Sequence, residues 1–170
     1  MKRWVNIISL AVVLTLISAV TPVTAGDAGK TEGLAWHRYD KAVVLAKKEN
    51  KFILIDFYTD WCGWCKVMDD KTYADPAVKA LLEKSFILVK VNAESKRFIK
   101  LQGQQITETH LASIYRVTSY PTTWFLQPDG KAIAPLNGYV SPDRFEPVLR
   151  YISDGAYKKM GFDQYMKQAD

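Results

Sequence analysis

The spacing of apolar side chains predicts an alternation of helices and strands along most of the chain. From Trp36 to Lys48, apolar residues recur every three to four positions, which is the period of a helix that buries one face. Residues 52–58 are nearly all apolar β-formers, a pattern typical of a strand covered on both faces. The same reasoning predicts further helices over 66–72, 75–84, 109–115 and 141–152, and further strands over 86–91, 122–126 and 131–134.

Two stretches have weaker patterns. Residues 93–108 predict a small hairpin around Gly103, and residues 155–167 predict a last short helix. The turn Pro128-Asp129-Gly130 joins the last two predicted strands. Because helices alternate with buried strands and a hairpin follows, we expect an α/β fold in which a central mixed β-sheet is flanked by helices on both faces.

The first 25 residues have the three-part layout of a secretory signal peptide. Lys2 and Arg3 form a basic start, residues 7–20 form an apolar run, and small residues end the segment at Ala25. We expect cleavage after Ala25. The alternative is an uncleaved membrane anchor, although the run is shorter than the roughly 20 apolar residues of a typical span. Only in that alternative would the protein be attached to a membrane.

The remainder of the chain is organised as one domain with short additions at its two ends. We predict a flexible lead over 26–35, a folded domain over 36–154 with an insertion near 93–108, and a C-terminal helical extension over 155–170. The 170 residues, 48% of them hydrophobic, suit a single globular domain, and two cysteines are too few for a disulfide-stapled scaffold. Without the signal segment 21 basic residues face 18 acidic ones, so we expect no nucleic-acid partner.

The candidate chemistry lies at Cys62-Gly63-Trp64-Cys65, where the strand over 52–58 gives way to a helix. A cysteine at the start of a helix lies beside unpaired backbone N–H groups and the positive end of the helix dipole, which favour a thiolate. Cys65 lies one turn deeper in the helix and is shielded. We therefore expect Cys62 to attack a disulfide and Cys65 to resolve the mixed disulfide that results.

Two other interpretations of the cysteine pair compete with redox chemistry. The pair would also be compatible with an inert buried disulfide or two core thiols, or with half of a zinc site. A zinc site needs about four ligands, and neither His37 nor His110 has ligand spacing to the motif. The strand-to-helix position favours redox chemistry. We expect no metal and no bound cofactor, since the Cys62–Cys65 dithiol is itself the redox group.

The residues around the cysteines resemble the active-site segment of thioredoxins. Residues 53–66, Ile-Leu-Ile-Asp-Phe-Tyr-Thr-Asp-Trp-Cys-Gly-Trp-Cys-Lys, match a strand that ends in Asp-Phe and continues to Trp-Cys-Gly-x-Cys-Lys. Tyr120-Pro121-Thr122 resembles the cis-proline loop of that family, and Gly138-Tyr139 fits a third, weaker hallmark. The resemblance spans about residues 36–152 and implies the thioredoxin fold.

One branch of the thioredoxin superfamily is more similar than the others. Residues 56–62, 72–78 and 91–93 are similar to the exported C-terminal domain of DsbD and to SoxW-like periplasmic thioredoxins, which are mostly reductants. The resemblance implies a periplasmic thiol:disulfide oxidoreductase that reduces disulfides in other proteins. It also implies a membrane electron donor of the DsbD or CcdA type, which restores the dithiol.

The resemblance also implies roles for individual residues. Asp56 corresponds to a buried carboxylate that takes the proton of Cys65, and Lys90 to a neighbouring lysine. Pro121, in the cis form, would place the Tyr120 backbone beside Cys62, where a substrate strand could pair with it. The substrate-binding residues implied in this way are Trp61, Gly63, Trp64, Tyr120 and Pro121. The alternatives are an exposed Asp56, an ordinary trans turn at Pro121 and a core position for Trp61.

Trp64 departs from the family pattern, because proline usually precedes the second cysteine. The indole carries no positive charge, which favours a more reducing couple. Two other functions remain as alternatives: a disulfide oxidase or isomerase on the same fold, and a non-catalytic peptide-binding or chaperone module. A Cys62→Ser variant separates the last of these from an oxidoreductase, since a binding module would keep its function.

Overall fold

The computed structural model describes residues 33–169. The signal peptide predicted for 1–25 and most of the lead predicted for 26–35 therefore lie outside the described residues. Across 33–169, none of the helices combines the length and the apolar character that crossing a membrane requires.

The described residues form seven strands, five of which make up the central sheet. The strands are β1 (Trp36–His37), β2 (Phe52–Tyr58), β3 (Phe86–Asn92), β4 (Phe98–Leu101), β5 (Gln104–Thr107), β6 (Thr122–Leu126) and β7 (Ala132–Asn137). Five of them form a mixed sheet in the order β1-β3-β2-β6-β7. β3 is parallel to both β1 and β2, whereas β6 is antiparallel to both β2 and β7. β4 and β5 form a separate antiparallel hairpin.

The helices cover both faces of this sheet, as the sequence predicts. They are α1 (Tyr39–Glu49), α2 (Gly63–Val67), a π-helical segment (Met68–Tyr73), α3 (Pro76–Ser85), α4 (Glu108–Ile114), α5 (Pro142–Ser153), a 3₁₀ turn (Ala156–Lys158) and α6 (Phe162–Ala169). The strongest local start signal is at α3, where the Asp75 carboxylate accepts hydrogen bonds from the N–H groups of Ala77 and Val78.

Two hydrophobic clusters sandwich the sheet, and the alternation of β2 assigns its side chains to them. Ile53, Ile55 and Phe57 pack into the cluster that contains α1 and α4 side chains. Leu54 packs into the other cluster, with side chains of the π-helical segment, α3 and α5. Because side chains alternate along a strand, Asp56 faces the same side as Leu54. The only acid of β2 therefore points toward the helix that follows the cysteines.

The structure confirms most predicted elements and corrects four of them. Trp36 and His37 were predicted as helix but pair with Leu88 and Val89 as a short edge strand, a tertiary ladder that apolar spacing does not reveal. The helix predicted over 66–72 is π-helical from Met68 onward. The strand predicted over 131–134 extends to Asn137, and the last predicted helix is a 3₁₀ turn followed by α6. The hairpin around Gly103 is confirmed.

Candidate active site

The two cysteines form a disulfide between the end of β2 and the first turn of α2. Their Cα atoms are 5.3 Å apart, and Cys62 is the N-cap residue of α2. Its Sγ accepts a hydrogen bond from the backbone N–H of Cys65 at 3.1 Å. The structure shields both residues to a similar degree, with Cys62 4% and Cys65 3% exposed. A thiolate at Cys62 would therefore lie against a backbone donor that already points at its sulfur.

Two aromatic pairs flank the disulfide. Trp61 is 68% exposed and meets Tyr120 edge to face, with ring centroids 5.9 Å apart. Its indole nitrogen donates to the Glu94 carboxylate at 3.0 Å. Trp64 is 61% exposed and stacks on Tyr139 at 5.4 Å. The core position considered for Trp61 is therefore wrong, and the site is bordered by apolar surface that a partner protein can cover.

The loop opposite the motif contains the predicted cis peptide bond, between Tyr120 and Pro121. The Pro121 carbonyl accepts a hydrogen bond from the Gly138 N–H at 2.8 Å, so this loop and the Gly138-Tyr139 pair are held together. The contact of Tyr120 with Trp61 brings the loop to the cysteine motif. Gly63 lies exposed beside Cys62, and a side chain at this position would meet no atom within 4 Å.

Asp56 is fully buried beneath the motif, so the exposed alternative for this residue is wrong. Lys90 Nζ lies 3.5 Å from its carboxylate. Burial raises the pKa of Asp56 from 3.8 to about 6, although the attraction of Lys90 opposes this rise and the negative charge of Asp69 adds to it. At neutral pH this carboxylate is therefore mostly ionised but lies close enough to its pKa to take up a proton.

Asp69, in the π-helical segment, is a part of the site that the sequence pattern does not predict. Lys90 Nζ donates to both of its carboxylate oxygens at 2.5 Å, so one buried ammonium group serves two carboxylates. The same nitrogen lies 5.1 Å from the Trp36 ring and 5.2 Å from the Tyr58 ring. Burial raises the pKa of Asp69 as well, and Lys90 again opposes the rise. The signal in the sequence was Lys90 itself, since a lysine within a buried strand needs anionic partners.

A pocket of about 210 Å³ connects this charged cluster to the disulfide. Its lining includes Cys65, Asp69 and Lys90, together with Tyr58 and Thr59 at the end of β2. Water in such a pocket would reach the sulfur of Cys65 and the carboxylate of Asp69 from the same side. The pocket therefore offers a route by which the proton of Cys65 can exchange with solvent.

Half of a zinc site was the metal alternative for the cysteine pair. Over residues 33–169, no three or more His, Cys, Asp or Glu side chains are arranged so that they could hold a metal ion. The absence of a metal and of a bound cofactor stays a prediction.

A mixed sheet flanked by helices, with a Cys-x-x-Cys disulfide at a strand-to-helix junction and a cis-proline loop beside it, defines a thioredoxin-fold protein. The chain belongs to the thioredoxin-like domain family, whose sequence model matches residues 39–153. The thioredoxin superfamily resemblance is thereby confirmed.

Individual relatives agree with this assignment. The chain is 24% identical over 163 residues to the thiol:disulfide interchange protein DsbD of Photorhabdus laumondii, a match that covers 88% of this chain and 26% of that protein. It is 28% identical over 102 residues to the disulfide bond reductase DsbH of Chlamydia pneumoniae, covering 59% of this chain and 61% of DsbH. A solved thioredoxin-fold protein from Helicobacter pylori has a TM-score of 0.60 at 23% identity, covering 71% of this chain and 80% of that chain.

These similarities support different conclusions. The Helicobacter pylori structure shows the fold. The two curated relatives are named a thiol:disulfide interchange protein and a disulfide bond reductase, and the matched region spans about a quarter of the length of that DsbD and three fifths of DsbH. The predicted resemblance to DsbD is confirmed.

Proposed function

We propose that this protein is an exported thiol:disulfide oxidoreductase that reduces disulfides in periplasmic proteins. The observation that carries the proposal is the Cys62–Cys65 disulfide at the start of α2, with Cys65 sharing a pocket with the charged cluster beneath it. The names of the relatives, thiol:disulfide interchange protein and disulfide bond reductase, support the same chemistry.

The first step uses Cys62 in the reduced protein. Its thiolate attacks one sulfur of a substrate disulfide, a new bond forms between Cys62 and that sulfur, and the substrate S–S bond breaks. The other substrate sulfur leaves as a thiolate and takes a proton from solvent. The backbone N–H of Cys65, which points at the Cys62 sulfur, stabilises the attacking anion. Trp61, Gly63, Trp64, Tyr120 and Pro121 form the surface on which the substrate segment lies.

The second step releases the substrate. Cys65 loses its proton to Asp56, or to water in the pocket that it shares with Asp69 and Lys90, and its thiolate attacks the Cys62 sulfur. The mixed disulfide breaks, the second substrate sulfur leaves as a thiolate and takes up a proton from Asp56 or from solvent, and the Cys62–Cys65 disulfide forms. The Cys62–Cys65 dithiol is oxidised to the disulfide and its two electrons pass to the substrate, so no bound cofactor is needed. The pKa of about 6 suits Asp56 to this transfer at neutral pH.

The surroundings of Cys62 support a reducing direction of electron flow. Trp64, which directly precedes Cys65, brings no positive charge to stabilise a Cys62 thiolate. This favours a reducing couple. A reductant in an oxidising compartment must be recharged after each turnover. We propose that a membrane electron donor of the DsbD or CcdA type supplies these electrons, and that the signal-like segment over 1–25 directs export.

The equilibrium reduction potential tests the direction. The full chain is equilibrated in thiol buffers of graded potential, and the fraction of free thiols is measured by alkylation. A potential near that of thioredoxin, about −270 mV, is the expected result, whereas one near −120 mV would indicate an oxidase. Cys62→Ser is the control for the chemistry: if this variant kept the activity on protein clients, the protein would be a binding module instead.

A further inference from the structure

A second cavity lies between the edge strand β7, helix α5 and Phe162 of α6. Its volume is about 550 Å³, within the usual range of about 300–1,000 Å³ for small-molecule sites. Neither cysteine lines it, nor does any residue of the cis-proline loop or of the Asp56 cluster. Apart from Tyr139, which stacks on Trp64, the lining of the cavity is therefore separate from the residues of the thiol chemistry proposed above.

The walls of this cavity are apolar and partly aromatic. Leu136 of β7 and Val148 of α5 form opposite sides, and the rings of Tyr139, Tyr151 and Phe162 complete the lining. Phe162 is held in place by an edge-to-face contact with Tyr151 at 5.3 Å. An apolar body with an aromatic ring or a branched chain would replace water in such a space at a gain in free energy.

The mouth of the cavity carries one charged side chain, Arg144. Of the other four arginines in residues 33–169, Arg38, Arg97 and Arg150 each bind a carboxylate, and Arg116 forms no ion pair with a described residue. Arg144 forms no ion pair with any residue of the described part of the chain, although it lies on the first turn of α5. Ser141, the N-cap residue of that helix, also lines the cavity, and its hydroxyl makes no capping hydrogen bond. Arg144 and Ser141 are thus donors that no carboxylate of the described residues engages.

We propose that this cavity binds a small apolar carboxylate, with its aromatic or branched body between β7 and α5. The carboxylate pairs with the Arg144 guanidinium and accepts from the Ser141 hydroxyl. Arginine suits this role because its planar fork of donors matches the two oxygens of a carboxylate.

Calorimetric titration of the oxidised full chain tests the proposal with a matched pair of probes. 4-Phenylbutyrate carries the charge, and 4-phenylbutan-1-ol has the same apolar body without it. We expect saturable 1:1 binding of the acid, with the alcohol weaker by about tenfold or more, as charge-assisted hydrogen bonds imply. Arg144→Gln should reduce the affinity for the acid to that for the alcohol and leave the alcohol unaffected.

Arg150→Gln is the matched control, since Arg150 lies on the same helix, pairs with Glu146 and does not line the cavity. It should leave both affinities unchanged. Val148→Trp fills the cavity and should abolish binding of both probes; if circular dichroism shows that it does not fold, the two arginine variants decide the question. No saturable binding of the acid, unchanged affinity in Arg144→Gln, or an equal loss in Arg150→Gln would each overturn the proposal. The result does not depend on the reductase function, because binding is measured with the disulfide intact.

Discussion

Replacing Asp56 by asparagine should stabilise the folded protein at neutral pH and leave its stability nearly unchanged near pH 3.5. The reason is that folding buries this carboxylate completely. Lys90 and Asp69 both act on its charge, but burial dominates and raises its pKa from 3.8 to about 6. The asparagine side chain has a similar size and no charge to bury, so it escapes this penalty.

The sign and size of the effect follow from linkage. The folded state holds the proton of Asp56 more tightly than the unfolded state, so the free energy of unfolding of the wild type falls as the pH rises from 3.8 to about 6. Below 3.8 both states are protonated and the penalty is absent; above 6 it is complete. A difference of roughly two pKa units corresponds to about 3 kcal/mol, at about 1.4 kcal/mol per unit.

Urea denaturation followed by tryptophan fluorescence measures this difference directly. The disulfide is kept intact, and wild type and Asp56→Asn are compared between pH 3.5 and pH 8. The variant should gain about 3 kcal/mol relative to wild type across this range. Asp163→Asn, an exposed aspartate on α6, is the matched control and should change the free energy of unfolding only slightly. A variant that is less stable than wild type at pH 8, or a difference that stays constant from pH 3.5 to pH 8, would refute the reasoning.

Three further predictions test the same site. Lys90→Met removes the attraction that opposes burial, so the pKa of Asp56 should rise above 6 and the acid limb of the pH profile of disulfide reduction should move to higher pH. Asp69→Asn removes a negative charge and leaves Lys90 to Asp56 alone, so the same limb should move to lower pH; movement in one direction for both variants would contradict a shared lysine. Cys65→Ser should accumulate a mixed disulfide with substrate on non-reducing gels, whereas Cys62→Ser should not, and the reverse pattern would exchange their roles.

Much of the fold could be predicted because its signals are local. The apolar run of β2 and the Asp75-Pro76 start of α3 each specify an element within a few residues. The cysteine motif and the Tyr120–Pro121 bond were also predictable, the first from spacing and the second only through the family resemblance. The packing of both clusters against the sheet then follows from the alternation of apolar positions.

What the sequence did not predict depends on contacts between distant residues. The strand at Trp36–His37 exists because β3 offers a free edge, and two residues are too few to show a period. The cavity beside Arg144 requires Phe162, which the chain brings to α5 only through the turn at 156–158. In each case the determining partner is many positions away, so no local window contains it.

Asp69 shows most clearly how local helical geometry shapes the site. An α-helix continuing from Cys65 was the simplest prediction, but the segment from Met68 is π-helical and buries Met68, Thr72 and Tyr73 together. Insertions of this kind occur frequently at functional sites. Here the segment places the Asp69 carboxylate in hydrogen-bond contact with Lys90 Nζ, while the neighbouring Asp70 stays exposed. Lys90 therefore pairs with two carboxylates, so it stabilises the ionised form of Asp56 only in part. The pKa of Asp56 consequently stays near the value that proton exchange with a thiol at neutral pH requires.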